Sequence, residues 1–137
     1  MNTKIYKSVH TLAESLMLAA QKKNQKQFDL LYSQLKKICV ENDNTTKDHP
    51  VQWETLADFT DDYDEALTIY EIALNKAMAI NNKDHLSSIA FAMAGLQIEL
   101  GQKDKALKNL NDAKISANKI QDKELKTDIA ALLSSIS

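Results

Sequence analysis

One stretch constrains the whole chain. Residues 63–77 read YDEALTIYEIALNKA. Ala66, Tyr70 and Ala73 fall at i, i+4 and i+7 on one helical face. Leu67, Ile69 and Leu74 widen that face into an apolar stripe of the kind that buries against other helices. Two of the three anchor positions are alanine, so a neighbouring helix can approach closely. The other 122 residues offer little to compete with helix, since the chain of 137 has only 2 Gly and 1 Pro. No run of β-branched residues alternates with polar ones, so sheet folds are excluded. An all-α fold is expected, and 44% hydrophobic residues are enough to build its core.

The same periodicity divides the chain into seven helices. Val9, Leu12, Leu16 and Ala19 mark a first, from residue 3 to about 22. Phe28, Leu31, Tyr32, Leu35 and Ile38 mark a second, over 25–41. The polar link Lys22-Lys23-Asn24 is so short that these two must run antiparallel. Residues 42–49 (NDNTTKDH) form the most polar stretch and are expected to be a flexible loop. Their Asn44-Thr45-Thr46 triplet is a formal glycosylation acceptor that an intracellular chain would not use. Pro50 suits the first position of a third helix, through Val51, Trp53, Leu56, Ala57 and Phe59.

Asp61 or Asp62 is expected to cap the fourth helix, which ends near Ile80 at Asn81-Asn82, where Asn tolerates a left-handed backbone. The Asp61, Asp62 and Asp64 cluster lacks the glycine and the spacing of a calcium loop, so it reads as helix-start chemistry. Asp84 is placed to cap the fifth helix, which runs to Gly101. A sixth spans 103–119, with Ala106, Leu107, Leu110, Ala113 and Ala117 on its face. A seventh covers about 123–136, through Leu125, Ile129, Leu132, Leu133 and Ile136.

The pattern repeats. Ala66 and Ala106 lie 40 residues apart, and Phe28 precedes Ala66 by 38. Four residues after each anchor come Tyr32, Tyr70 and Leu110; seven after come Leu35, Ala73 and Ala113. A helix-start triplet recurs as Glu65-Ala66-Leu67 and Lys105-Ala106-Leu107, and Gly101 stands five before Ala106. This arrangement resembles the tetratricopeptide repeat (TPR) family, with a period longer than the usual one of about 34. The likeness is clearest over 51–119. Residues 3–42 form a more divergent unit, with Phe28 where a small residue belongs. The resemblance implies a right-handed α-solenoid of three antiparallel helix pairs: repeat 1 over about 3–42, a loop over 43–49, repeat 2 over 50–82 and repeat 3 over 84–120. A capping helix over 123–136 would close it, all as one domain.

The resemblance also implies a concave groove lined by the first helix of each pair. The matching positions are His10, Ala13 and Met17; Asp48, Val51 and Thr55, with Asp58 one turn on; and Ser88, Phe91 and Gly95, with Ile98 one turn on. Met17, Thr55, Asp58, Phe91, Gly95 and Ile98 are the groove candidates. Phe91 and Met17 have a second reading, as residues that complete the core. The carboxylate clamp of heat-shock co-chaperones cannot form here, because its positions hold His10, Ala13, Glu14, Val51, Gln52, Ser88 and Ala92.

Chemistry is otherwise sparse. His10, His49 and His85 show no metal-ligand spacing, and two isolated glycines make no phosphate loop, so neither a catalytic site nor a cofactor or metal is expected. All 17 basic residues are lysine and the net charge is −2, which argues against nucleic-acid recognition. Cys39 reads as a buried small residue. Lys4 and Lys7 precede an apolar patch, but Glu14 and the patch's short length argue against a leader peptide. No stretch suits a membrane span, so the cytoplasm is the expected location.

The expected function is protein interaction, with a peptide or helix of another protein as partner: an adaptor, a secretion-type chaperone or a toxin-immunity protein, monomeric or homodimeric. The alternative is a structural, self-assembling helical repeat in which Tyr6, Phe28 and Tyr32 meet a second copy. A DNA-associated regulator comes third.

Overall fold

The computed structural model describes residues 2–137, and among them there is no strand. Seven helices follow in order: α1 (Thr3–Gln21), α2 (Gln25–Asn42), α3 (Pro50–Asp58), α4 (Tyr63–Ala79), α5 (Lys83–Glu99), α6 (Lys103–Ala117) and α7 (Lys123–Ile136). The chain divides into two compact units, one ending at Ile69 and one spanning Tyr70–Ser137. The division falls inside α4.

Three of the turns share one construction. After α1, α4 and α5 the chain turns through a left-handed residue, with φ of 56° at Lys23, 51° at Asn81 and 73° at Gly101. The next residue then reaches back five positions. Asn24 N–H donates to Ala19 O at 2.9 Å, Asn82 N–H to Ala77 O at 3.0 Å and Gln102 N–H to Gln97 O at 2.7 Å. This satisfies carbonyls that the helix end leaves without partners. The same residue begins the following helix. Asn24 and Asn82 use their side-chain oxygens to accept from Gln27 N–H and His85 N–H, whereas Gln102 makes no such bond. Asn82, rather than the expected Asp84, therefore caps α5; Asp84 lies within its first turn. Asp62 is the cap of α4, accepting from Glu65 N–H at 2.9 Å.

In the first unit α1 and α2 are antiparallel. Lys4, Lys7 and Leu12 face Gln34, Lys37 and Ile38 at one end of the pair, and Ala19 and Ala20 lie beside Gln25 and Phe28 at the other. Val9, Leu16 and Ala19 of α1 and Leu31, Leu35 and Cys39 of α2 are buried, and α3 packs on both helices. A fully buried leucine such as Leu16 or Leu35 contributes about 1.5–3 kcal/mol relative to an exposed one.

The second unit centres on the α5–α6 pair. Leu86 and Ala90 in the first half of α5 line a depression with Ile115 and Ser116 at the end of α6, so this pair is antiparallel too. Ala90 and Ala94 meet Ala106, Ala113 and Ala117, all buried in a core with Leu110, Ile120 and Ile129. Alanines on both sides let the two backbones draw close. The last helix, α7, contributes Ile129 to that core and packs Leu125, Leu132, Leu133 and Ile136 against it. Its residues Lys123, Glu124 and Asp128 stay in solvent, while Lys126 is half-buried.

Candidate functional site

The six groove candidates fall in both units. Met17 (α1), Thr55 and Asp58 (α3) belong to the first; Phe91, Gly95 and Ile98 (α5) belong to the second. Met17 is 54% exposed, so the reading of it as a core residue does not hold. Thr55 is half-buried, and its hydroxyl donates to Val51 O at 2.6 Å within its own helix. Asp58 is exposed at the end of α3.

On α5 the three candidates share one face at i, i+4 and i+7. Phe91 and Ile98 are partly buried and pack against the core of the second unit. Phe91 therefore serves the core, as its second reading had it, and is not fully buried there. Gly95 sits between them. A Cβ placed there would meet no atom within 4 Å. The glycine thus leaves a shallow notch in the helix face that carries Phe91 one turn before it and Ile98 one turn after it. Only Asp84 and Glu99 of α5 are exposed, as expected for a helix that is apolar on most sides. Its buried Gln97 is satisfied by Asn109 Nδ2, which donates to Gln97 Oε1 at 2.8 Å.

Asp48, another candidate from the repeat pattern, has a structural job. Its Oδ1 accepts from Trp53 Nε1 at 3.0 Å and its Oδ2 from Asn44 N–H at 2.8 Å. Gln52 Nε2 donates to Lys47 O at 2.8 Å, and Cys39 Sγ to Gln52 O at 3.2 Å. The polar stretch expected to be a flexible loop is thus bonded along its length and tied to α3.

The aromatic residues of the self-assembly alternative are largely engaged within the first unit. Phe28 stacks on Tyr32 with centroids 6.5 Å apart and meets Phe59 edge-on at 6.3 Å. The Tyr32 hydroxyl pairs with Thr60 Oγ1 at 2.7 Å. Burial pushes the Tyr32 phenol above its ordinary pKa; the Thr60 hydrogen bond opposes the rise, and the charge of Glu65 adds to it. Of the three, only Tyr6 is exposed.

Two further concave surfaces did not stand out in the sequence. One is a groove of about 570 Å³ between α1 and α2, with Leu12 and Ile38 among its lining and Lys4, Lys7 and Lys37 at its edges. The other is a depression of about 240 Å³ lined by Leu74, Met78, Leu86, Ala90 and Ile115, with Asn109, Asp112 and Ser116. Met78 and Ile115 are 61% and 67% exposed. The signal for the first was Lys4 and Lys7 at i, i+3, but Lys37 joins them only through the hairpin. Among the described residues, no group of three or more His, Cys, Asp or Glu could hold a metal ion, and no helix is long and apolar enough to cross a membrane. Compared with protein-family models, curated protein sequences and solved structures, the chain matches none.

Proposed function

We propose that this chain is a non-enzymatic protein-interaction module that holds a peptide or helix of another protein. The observation that carries this reading is the open notch at Gly95 between Phe91 and Ile98. A helix interior disfavours glycine by about 0.5–1 kcal/mol relative to alanine. Here no close neighbour requires one, so the missing side chain is better explained by something that occupies the space from outside. A shallow apolar notch on a helix face suits one anchor side chain of an amphipathic helix or an extended peptide. In the first unit, Met17 on α1 and Thr55 and Asp58 on α3 are candidate contacts of their own.

The architecture that accompanies this reading is a TPR-like stack of helix pairs. It is supported by the antiparallel pairs α1–α2 and α5–α6, by the like turns at Lys23 and Gly101 that close those two pairs, and by the burial of both anchor alanines, Ala66 and Ala106. An adaptor, a secretion-type chaperone and a toxin-immunity protein all use such a surface, and the cytoplasm suits each of them.

Phe91→Glu is a poor test, because Phe91 also supports the core. Gly95→Trp is a better one, since the space beside residue 95 is empty. The native partner is first recovered by affinity capture on the wild-type chain and identified by mass spectrometry. Gly95→Trp is expected to lower its retention at least about tenfold, with helicity by circular dichroism unchanged. Undiminished retention by a folded Gly95→Trp chain removes the α5 face from the reading.

A further inference from the structure

We propose that the groove between α1 and α2 is a second docking surface, and that it takes an acidic amphipathic helix from a partner protein. It lies wholly within the first unit and uses none of the six candidates above. Two antiparallel helices leave a furrow between them that accepts the ridge of a third. The furrow runs from Lys4 to Leu12 along α1, about 12 Å or a little over two helical turns. That length accommodates apolar residues at i, i+3 or i+4, and i+7 of an incoming helix. Leu12 and Ile38 are half-buried in the free chain and would meet such a stripe.

Charge specifies the occupant. Lys4 and Lys7 line the groove from α1 and Lys37 from α2, and no carboxylate lines it. Lys37 has one ion-pair partner, Glu41 on its own helix, at 3.7 Å with both side chains well exposed. An exposed pair of this kind is weak, so Lys37 can exchange it for a partner's carboxylate. Glutamates flanking an apolar stripe would meet all three ammonium groups at the edges while the stripe covers Leu12 and Ile38. A second copy is a worse occupant, because a two-fold contact through this surface sets three lysines against three. A lipid surface is also a worse fit. Leu12 and Ile38 are half-buried within the groove, whereas a membrane-seeking face carries its apolar groups outermost.

The test uses a dye-labelled synthetic helix of about four turns, long enough to hold helical structure on binding, with leucine along one face and glutamate on its flanks. Its counterpart carries lysine in place of glutamate. Anisotropy titrations of the whole chain are expected to show binding of the acidic helix that weakens as salt is raised. Amide NMR shifts are expected at residues 4–12 and 34–38. The triple variant Lys4→Glu/Lys7→Glu/Lys37→Glu changes only exposed residues and is expected to keep its helicity while losing at least about tenfold in affinity. Absence of binding by the acidic helix overturns the proposal. Equal binding of the lysine counterpart, or indifference to the triple variant, does the same. So does tighter association with phosphatidylserine vesicles than with the helix, or self-association that the triple variant abolishes. None of these outcomes bears on the α5 notch.

Discussion

Gly95 and Tyr32 show how single residues in this chain acquire roles that their neighbours in sequence do not reveal. At Gly95 the backbone is ordinary helix and the adjoining space is empty. Gly95→Ala is therefore expected to stabilise the chain by about 0.5–1 kcal/mol, read as a raised urea midpoint with an unchanged slope. A loss of stability would mean that the notch is needed for folding. Tyr32 is held in its neutral form by burial. A phenol with a raised pKa in the folded state contributes stability that is complete below its unfolded value of about 10. That contribution is lost as pH rises through the folded value. Tyr32→Phe is expected to lessen the decline in stability above about pH 10 and to leave a nearly constant deficit at neutral pH, where only the Thr60 hydrogen bond is lost. An equally steep alkaline decline in the variant would assign that decline to other groups.

At the level of elements, the helices were legible because each carries a buried stripe at helical spacing. Leu16 and Ala19, Leu31 and Leu35, and Leu110, Ala113 and Ala117 are all buried as their spacing requires. The ends were read less well. Asn81 and Gly101 were legible as turn residues because both tolerate a left-handed backbone. Lys23 was legible as part of a polar link but not as its left-handed residue, because lysine has no such preference; the closing bonds around it and the packed hairpin hold it there. The α5 cap was misread for a related reason: two acceptors, Asn82 and Asp84, stand two residues apart, and only backbone geometry chooses between them. Asn82→Ala is expected to cost about 1 kcal/mol by thermal or urea unfolding, and Asp84→Ala only a few tenths. Equal losses would show that Asp84 shares the capping role. The equivalent position before α6 holds Gln102, whose side chain makes no cap bond. Gln102→Asn is expected to add about 0.5–1 kcal/mol, because the turn there is already built as it is at Asn24 and Asn82. The α1–α2 groove was illegible for another reason. Lys37 stands 30 residues after Lys7 and meets it only once the hairpin closes.

For the molecule as a whole, the deciding feature is that the boundary between the two units falls within a helix rather than a linker. Ala66 and Ile69 on one side of it, and Tyr70, Ala73 and Ala77 on the other, are all buried on one unbroken α4. Melting either unit removes packing from its own share of that helix, and a shortened helix is poorly stable alone. One cooperative transition is therefore expected, as for most single chains under about 150 residues. The sequence provides the probe, since Trp53 is the only tryptophan and is buried in the first unit. Its fluorescence reports that unit, while circular dichroism reports all seven helices. Ala106→Leu places the perturbation in the second unit, where Ala106 is fully buried among other alanines, and overpacking there is expected to cost about 1–3 kcal/mol. If α4 couples the units, fluorescence and dichroism shift together by that amount. If the dichroism midpoint falls while Trp53 fluorescence keeps its wild-type midpoint, the two units unfold independently, and α4 is a tether between separate domains rather than a shared structural member.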